Sequence, residues 1–201
     1  MPTLYNSMIS ANCYKVRLLL HQAEVPYRRV EIDIRNGESR RAPFLAKNPN
    51  GRVPALELDD GTVLSESAAI LFYLADRTPF LSEDAVTRAQ TLQWLFFEQY
   101  SHEPYIAVMQ FLVTYPDAPD QRRAIIEFLT ERGRQALAVM ETHLATRQFF
   151  VGDGYSIADI ALYAYTHTAR KGGFDLDAYP RVGAWLERVR AQPRHVGLEQ
   201  G

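Results

Sequence analysis

The chain is short of several things, and each shortage narrows what it can be. It has one cysteine, Cys13, in 201 residues, so no internal disulfide and no multi-cysteine metal site can form. It lacks an apolar run of about 18 residues, the length a bilayer-spanning helix needs. It has no basic surplus: 22 Lys and Arg face 24 Asp and Glu, a formal charge of −2. A protein that holds nucleic acid chiefly by neutralising phosphates carries more positive charge than this. The opening Met1-Pro2-Thr3-Leu4-Tyr5-Asn6 has neither the basic start nor the apolar stretch of a signal peptide. Internal repeats and low-complexity segments are also missing. What is there is 47% apolar and 23% charged, ordinary globular usage, in a length that makes one large domain or two small ones. The expectation is a soluble cytoplasmic protein in two parts, with no nucleic acid, membrane or metal partner.

Two kinds of patterning divide the chain. Thr3-Leu4-Tyr5 reads as a short strand. Val16, Leu19, Leu20 and Ala23 recur at helical spacing between Asn12 and Glu24, and Pro26 stops the pattern. Val30, Ile32 and Ile34 alternate with polar residues as a second strand, so a helix joins two strands expected to run parallel. After the polar stretch 35–41, a short helix around 43–46 ends at Asn48-Pro49-Asn50-Gly51. Ala55 to Leu58, the turn Asp59-Asp60-Gly61 and Thr62 to Leu64 form a hairpin, and a helix with Ile70, Tyr73 and Leu74 on one face follows. From Ser82 onward strand signals fade, and helical patterns run over 84–112, 120–145, 156–170 and 179–191. The expected fold class is α/β followed by all-α. Residues 1–76 form a small mixed sheet in β-α-β-(α)-β-β-α order, 77–83 a linker, and 84–201 an all-helical domain.

Three polar segments invite chemistry, and each also has a plain structural reading. Arg52-Val53-Pro54-Ala55-Leu56 puts a proline at the entry to a strand, where it is tolerated at a first position or an edge. A trans proline opening the strand accounts for it. A cis bond, found in about 5–6% of such peptides, would turn the Val53 N–H and C=O outward to pair with an extended peptide. Leu64-Ser65-Glu66-Ser67-Ala68 opens a helix whose free N–H groups suit a carboxylate, while Glu66 suits an ammonium. Together they fit the head of an amino acid; simple capping by Ser65 or Ser67 fits equally. Ser7 to Lys15 brings Ser10 and Asn12 to the start of the first helix, with the same two readings.

These segments together resemble the glutathione S-transferase family over nearly the whole chain. Asn48-Pro49-Asn50-Gly51-Arg52-Val53-Pro54-Ala55-Leu56 and Ser65-Glu66-Ser67-Ala68-Ala69-Ile70-Leu71-Phe72-Tyr73-Leu74 are similar to the signature of its thioredoxin-like domain. Gly152-Asp153-Gly154-Tyr155-Ser156-Ile157-Ala158-Asp159 is similar to its helix-nucleating motif, with Ser156 and Asp159 spaced as a capping box and Tyr155 and Ile160 as a hydrophobic staple. The resemblance is to serine-type members, the theta-, zeta- and nu-like classes. It implies a thioredoxin-like domain that holds glutathione as co-substrate, a helical domain lining an apolar second site, and a homodimer contacting through Phe96-Phe97-Glu98-Gln99.

By the same resemblance, Val53 pairs with the cysteinyl unit beside a cis Pro54, Glu66 and Ser67 hold the γ-glutamyl head, and Arg52 and Arg40 face the glycyl carboxylate. The thiol-activating position lies six residues before Val16, at Ser10; Asn12 corresponds to an accessory asparagine of one bacterial class. Tyr5 precedes the position used by tyrosine-type members. Cys13 reads either as an acidic thiol at a helix start or as a small packing residue. Met8, Ile9, Tyr105 and Met109 are candidates for an apolar electrophile pocket, Pro104 for a bend beside it, and His102 for a solvated or interface histidine. The implied activity is conjugation of glutathione to small hydrophobic electrophiles. A peroxidase or disulfide-bond reductase is the alternative, since Ser10-Ala11-Asn12 is similar to a Thr-Pro-Asn pattern. A non-catalytic interaction module of the same fold is the reading from another class.

Overall fold

The computed structural model describes residues 1–114 and 119–200. They form two compact units: Met1–Leu81 with the segment that begins at Pro193, and Ser82–Gln192.

In the first unit the elements are β1 (Thr3–Asn6), α1 (Ala11–Gln22), β2 (Arg28–Glu31), a 3-10 turn at Glu38–Arg40, α2 (Ala42–Leu45), β3 (Ala55–Glu57), β4 (Val63–Ser65) and α3 (Ser67–Leu74). The sheet order is β2-β1-β3-β4. β1 runs parallel to β2 and antiparallel to β3, and β3 pairs antiparallel with β4. Because side chains alternate across a sheet, Leu4 and Leu56 face a core with Val16, Leu20 and Ile70 from α1 and α3. Their neighbours Tyr5 and Ala55 face a second core with Ile32 and Phe44. The expected second strand ends early, at Glu31. Ile32 still gives its N–H to the Asn6 carbonyl at 2.7 Å, but Asp33 then turns the chain by accepting from the Asn36 N–H at 3.1 Å.

The first unit is completed from far along the chain. Tyr14, Arg17, His21 and Gln22 form one stripe of α1. The Tyr14 hydroxyl donates to the Val196 carbonyl at 2.7 Å, Arg17 to the Leu198 carbonyl at 2.5 Å and Gln22 to the Pro193 carbonyl at 3.3 Å. His21 Nδ1 lies 2.8 Å from the Arg194 carbonyl, which only accepts, so Nδ1 carries the proton. Arg17 is wholly buried and also donates to Asn6 Oδ1 at 2.7 Å. The sequence reading assigned this terminal segment to the helical domain; its polar backbone offers no pattern that announces a return to α1.

The second unit is helical: α4 (Ala85–Phe97), α5 (Glu103–Thr114), α6 (Pro119–His143), α7 (Ile157–Thr166) and α8 (Pro180–Arg190). Asp84 caps α4 by accepting the Thr87 N–H at 2.8 Å. The single helix predicted over 84–112 is broken by a π turn at Glu98–His102, closed by the Glu103 N–H on the Glu98 carbonyl. Pro104 accounts for it: it has no N–H for the Tyr100 carbonyl, and its ring crowds that oxygen, so the turn before it widens. At the start of α7 the predicted capping box is present. Asp159 is wholly buried and accepts from the Ser156 N–H and hydroxyl (both 3.0 Å), the Phe150 N–H (3.1 Å) and the Trp185 indole (2.9 Å). Tyr155 lies edge-on to Phe149. Among the described residues, no helix is long and apolar enough to cross a membrane.

Candidate active site

Register brings three segments together. Tyr5 pairs with Ala55, and Ala55 with Ser65. The chain after β1, before β3 and after β4 therefore leaves the sheet at one end. These are the stretches holding Ser10, Val53 and Glu66-Ser67.

Ser10 is the N-cap of α1, with extended backbone (φ −91°, ψ 118°) and its Oγ accepting the Cys13 N–H at 3.3 Å. A hydroxyl has one proton and two lone pairs, so capping leaves the Ser10 proton available for a partner outside the helix. Cys13 is wholly buried, takes the Ser7 N–H on its sulfur at 3.3 Å, and burial pushes its thiol up to about 11. The acidic-thiol reading of Cys13 is thereby corrected: desolvation outweighs the helix start, and the side chain packs. Asn12 Oδ1 accepts from Lys15 Nζ at 2.7 Å and from the Ser67 hydroxyl at 3.2 Å, tying α1 to α3.

The loop before β3 is shaped by Asn48. Its Oδ1 accepts the Asn50 N–H at 3.1 Å, and its Nδ2 donates to the Arg52 carbonyl at 2.7 Å. Gly51 between them has φ +62°, and a Cβ there would lie 2.8 Å from the Arg40 guanidinium, so glycine is required twice over. Arg40, exposed, donates to the Asn50 carbonyl at 2.7 Å. The Arg52 side chain is exposed. The Val53-Pro54 peptide is cis.

Glu66 holds φ 66° and ψ 116°, a conformation that costs a non-glycine residue about 1–3 kcal/mol. It is exposed, and its Oε1 lies 3.5 Å from Asn50 Nδ2. Ser67, the first residue of α3, is buried, and its N–H is one of the helix's donors without an intrahelical partner. Strain, carboxylate and free amides thus coincide at one helix start.

Two family models match: that described as glutathione S-transferase, N-terminal domain, over residues 9–77, and that of the C-terminal domain over 123–188. A crystal structure of a glutathione S-transferase from Pseudomonas fluorescens Pf-5 is 52% identical, with a TM-score of 0.95 over 98% of both chains. The disulfide-bond oxidoreductase YfcG of Escherichia coli K12 is 35% identical over 90% of this chain and 87% of that protein. The chain belongs to the glutathione S-transferase family. Ure2p in complex with glutathione is also similar, 27% identical with a TM-score of 0.87 over 96% of this chain and 90% of that one.

Within this glutathione S-transferase fold, hydrogen bonds link several of the residues singled out from sequence: Asn12 to Ser67, Glu66 to Asn50, and Asn50 to Arg40. Met8 and Ile9 lie between β1 and α1, with Ile9 52% exposed. Tyr105 and Met109 belong to the second unit. There Tyr105 is edge-on to Phe128, and Met109 is buried with its sulfur 3.9 Å from the Thr130 hydroxyl. His102, expected in solvent or at an interface, is wholly buried, with Nε2 2.9 Å from Thr166 Oγ1. Thr166 gives its own proton to the Leu162 carbonyl at 2.7 Å, so it accepts from the imidazole. Sequence reasoning passed over Lys15, a charged residue in a helix's second turn. Only its position three residues after Asn12 hinted at a link.

Proposed function

We propose that the first unit binds glutathione and lowers the pKa of its thiol, and that the protein transfers the thiolate to small hydrophobic electrophiles. The observation that carries this reading is the convergence at one sheet end of a hydroxyl at a helix start (Ser10), the Val53-Pro54 loop and the strained Glu66 before α3. The Val53 main chain pairs with the cysteinyl unit. The first amides of α3 take the γ-glutamyl carboxylate, Glu66 takes the ammonium, and the exposed Arg52 and Arg40 face the glycyl carboxylate.

Ser10 supplies the chemistry. A free thiol of pKa about 8.5 is about 3% ionised at pH 7, and the thiolate is the nucleophile. A hydrogen bond to a charged group contributes about 1.5–3 kcal/mol, equivalent to about 1–2 pH units at 1.36 kcal/mol each. The Ser10 hydroxyl donates to the sulfur and stabilises its charge without acting as a base. Asn12, two residues on in the first turn of α1, assists. Met8 and Ile9 are the residues of the first unit assigned to the electrophile. Homodimer formation is supported by Phe96, 68% exposed, and Tyr100, 81% exposed, in one helical stretch of the second unit, too apolar a pair to be left in water without cost. A sedimentation experiment returning the monomer mass at micromolar concentration removes that part of the reading.

Similarity to a disulfide-bond oxidoreductase supports a second reading, glutathione-dependent reduction of disulfides or peroxides. Here too the nucleophile is the bound tripeptide, because Cys13 is buried with its thiol pushed up to about 11. Calorimetry tests the shared premise: glutathione uptake is expected, and none at millimolar concentration ends both readings. Turnover of an aryl halide, an organic peroxide and a mixed disulfide then divides them. Activity confined to the last two selects the second.

A further inference from the structure

Both main-chain polar groups of Asn50 are engaged within its own loop. Its N–H donates to Asn48 Oδ1 at 3.1 Å, and its carbonyl accepts from the Arg40 guanidinium at 2.7 Å. The next N–H, of Gly51, donates to the Asn48 carbonyl at 2.8 Å, and Arg40 lies across Gly51, 2.8 Å from where a Cβ would stand. The side-chain amide is what remains, and its Nδ2 donates to Glu66 Oε1 at 3.5 Å. An ionised carboxylate only accepts, so the NH2 group is the end of the amide turned to Glu66. Glu66 itself is exposed and makes no capping bond to α3. Among the described residues, Asn50 is the one partner of its carboxylate. Oε1 therefore faces the loop, and Oε2 is left for another donor.

We propose that Asn50 is a positioning residue for glutathione, its amide holding the Glu66 carboxylate so that Oε2 meets the γ-glutamyl ammonium. The inference rests on the reading of the first unit as a glutathione site. An exposed glutamate loses side-chain freedom when it grips a ligand, and a bond that holds it beforehand reduces that loss. The fixed main chain of Asn50 is what makes its amide a firm support for a long side chain. The contact is long and the pair exposed, so the effect is on the order of fivefold in affinity rather than a hundredfold. Because the amide bonds to the carboxylate alone, Asn50 acts on the amino end of the tripeptide and leaves the thiol to Ser10.

The test measures glutathione affinity by calorimetry in the unmodified protein, Asn50→Ala, Glu66→Gln and the double variant. Alanine keeps the main-chain bonds to Asn48 and Arg40 and removes the amide. Asn50→Ala is expected to weaken binding about fivefold. In the Glu66→Gln background it is expected to cost less than about twofold more, because it acts through that carboxylate. Glutaryl-cysteinylglycine, the tripeptide without its amino group, supplies a readout that a general loop role would not move. Its affinity is expected to be the same in Asn50→Ala as in the unmodified protein. The pKa of bound glutathione's thiol, read by thiolate absorbance, is expected to stay where it is. Equal losses for the two ligands, losses that multiply in the double variant, or a shifted thiol pKa each overturn the role of Asn50. Should Asn50→Ala fail to fold, Asn50→Leu removes the same donor at nearly the size of asparagine, with the same outcomes expected. If the unmodified protein takes up no glutathione, the site reading falls and the role of Asn50 falls with it. Uptake with undiminished affinity in Asn50→Ala removes the role of Asn50 alone.

Discussion

The hydroxyl of Ser10 spends a lone pair on the Cys13 N–H and keeps its proton, so capping and thiol activation are compatible in one side chain. Ser10→Ala should separate them. Loss of the cap costs about 1 kcal/mol of stability, read by urea unfolding, while the bound thiol's pKa rises by about 1–2 pH units, read by thiolate absorbance. An unchanged titration in that variant removes Ser10 from the mechanism. Three residues on, Cys13 is expected to ignore a thiol-reactive disulfide reagent in the folded protein and to react fully in denaturant. A native reaction within minutes contradicts the burial that raises its pKa. At this scale the sequence was informative where backbone geometry sets the role. Ser10 as a cap, Ser67 at a helix start and Gly51 in a turn are all visible from their neighbours. It was silent where tertiary packing sets the role. Lys15 and His102 look solvated along the chain, yet both are wholly buried, Lys15 donating to Asn12 within α1 and His102 meeting Thr166 of α7.

Among the elements, α7 depends most on one side chain. Burial holds the Asp159 carboxyl at about 6, above its usual 3.8, although four hydrogen bonds favour its charged form. The folded state therefore binds a proton more tightly than the unfolded chain. The contribution is fully present below about pH 4 and is lost as pH rises through about 6, a change of about 3 kcal/mol. Unfolding free energy measured against pH should show this fall, and the Asp159→Asn variant, although less stable throughout, should lack that slope between about pH 4 and 6. Parallel curves for the two proteins exclude it. The hairpin, the βαβ crossover and the capping box could be read from sequence because each rests on local rules of period, turn chemistry or capping. The π turn could be anticipated only in part: Pro104 announces an irregularity, but the widened turn falls at Glu98–His102, where the missing donor is felt rather than where the proline sits.

For the whole molecule, the decisive fact is that the first unit is not contiguous. Its sheet and helices come from the early chain, yet the α1 stripe of Tyr14, Arg17, His21 and Gln22 is satisfied by carbonyls from residues 193–198. A chain ending at Gln192 should unfold in urea with its stability lowered by about 2–5 kcal/mol, because several hydrogen bonds are lost together and the buried Arg17 guanidinium loses an acceptor. Stability equal to that of the full chain would mean the segment only rests on α1. Hydrophobic periodicity foretold none of this, since the segment has too few apolar residues to mark a face. The arrangement also bears on biosynthesis. A ribosome making this protein must produce the entire helical unit after α3 before the strap for α1 emerges, a delay on the order of ten seconds. Through that interval the nascent sheet carries a buried arginine with no acceptor from the strap, so the part synthesised first is among the last to reach its final stability.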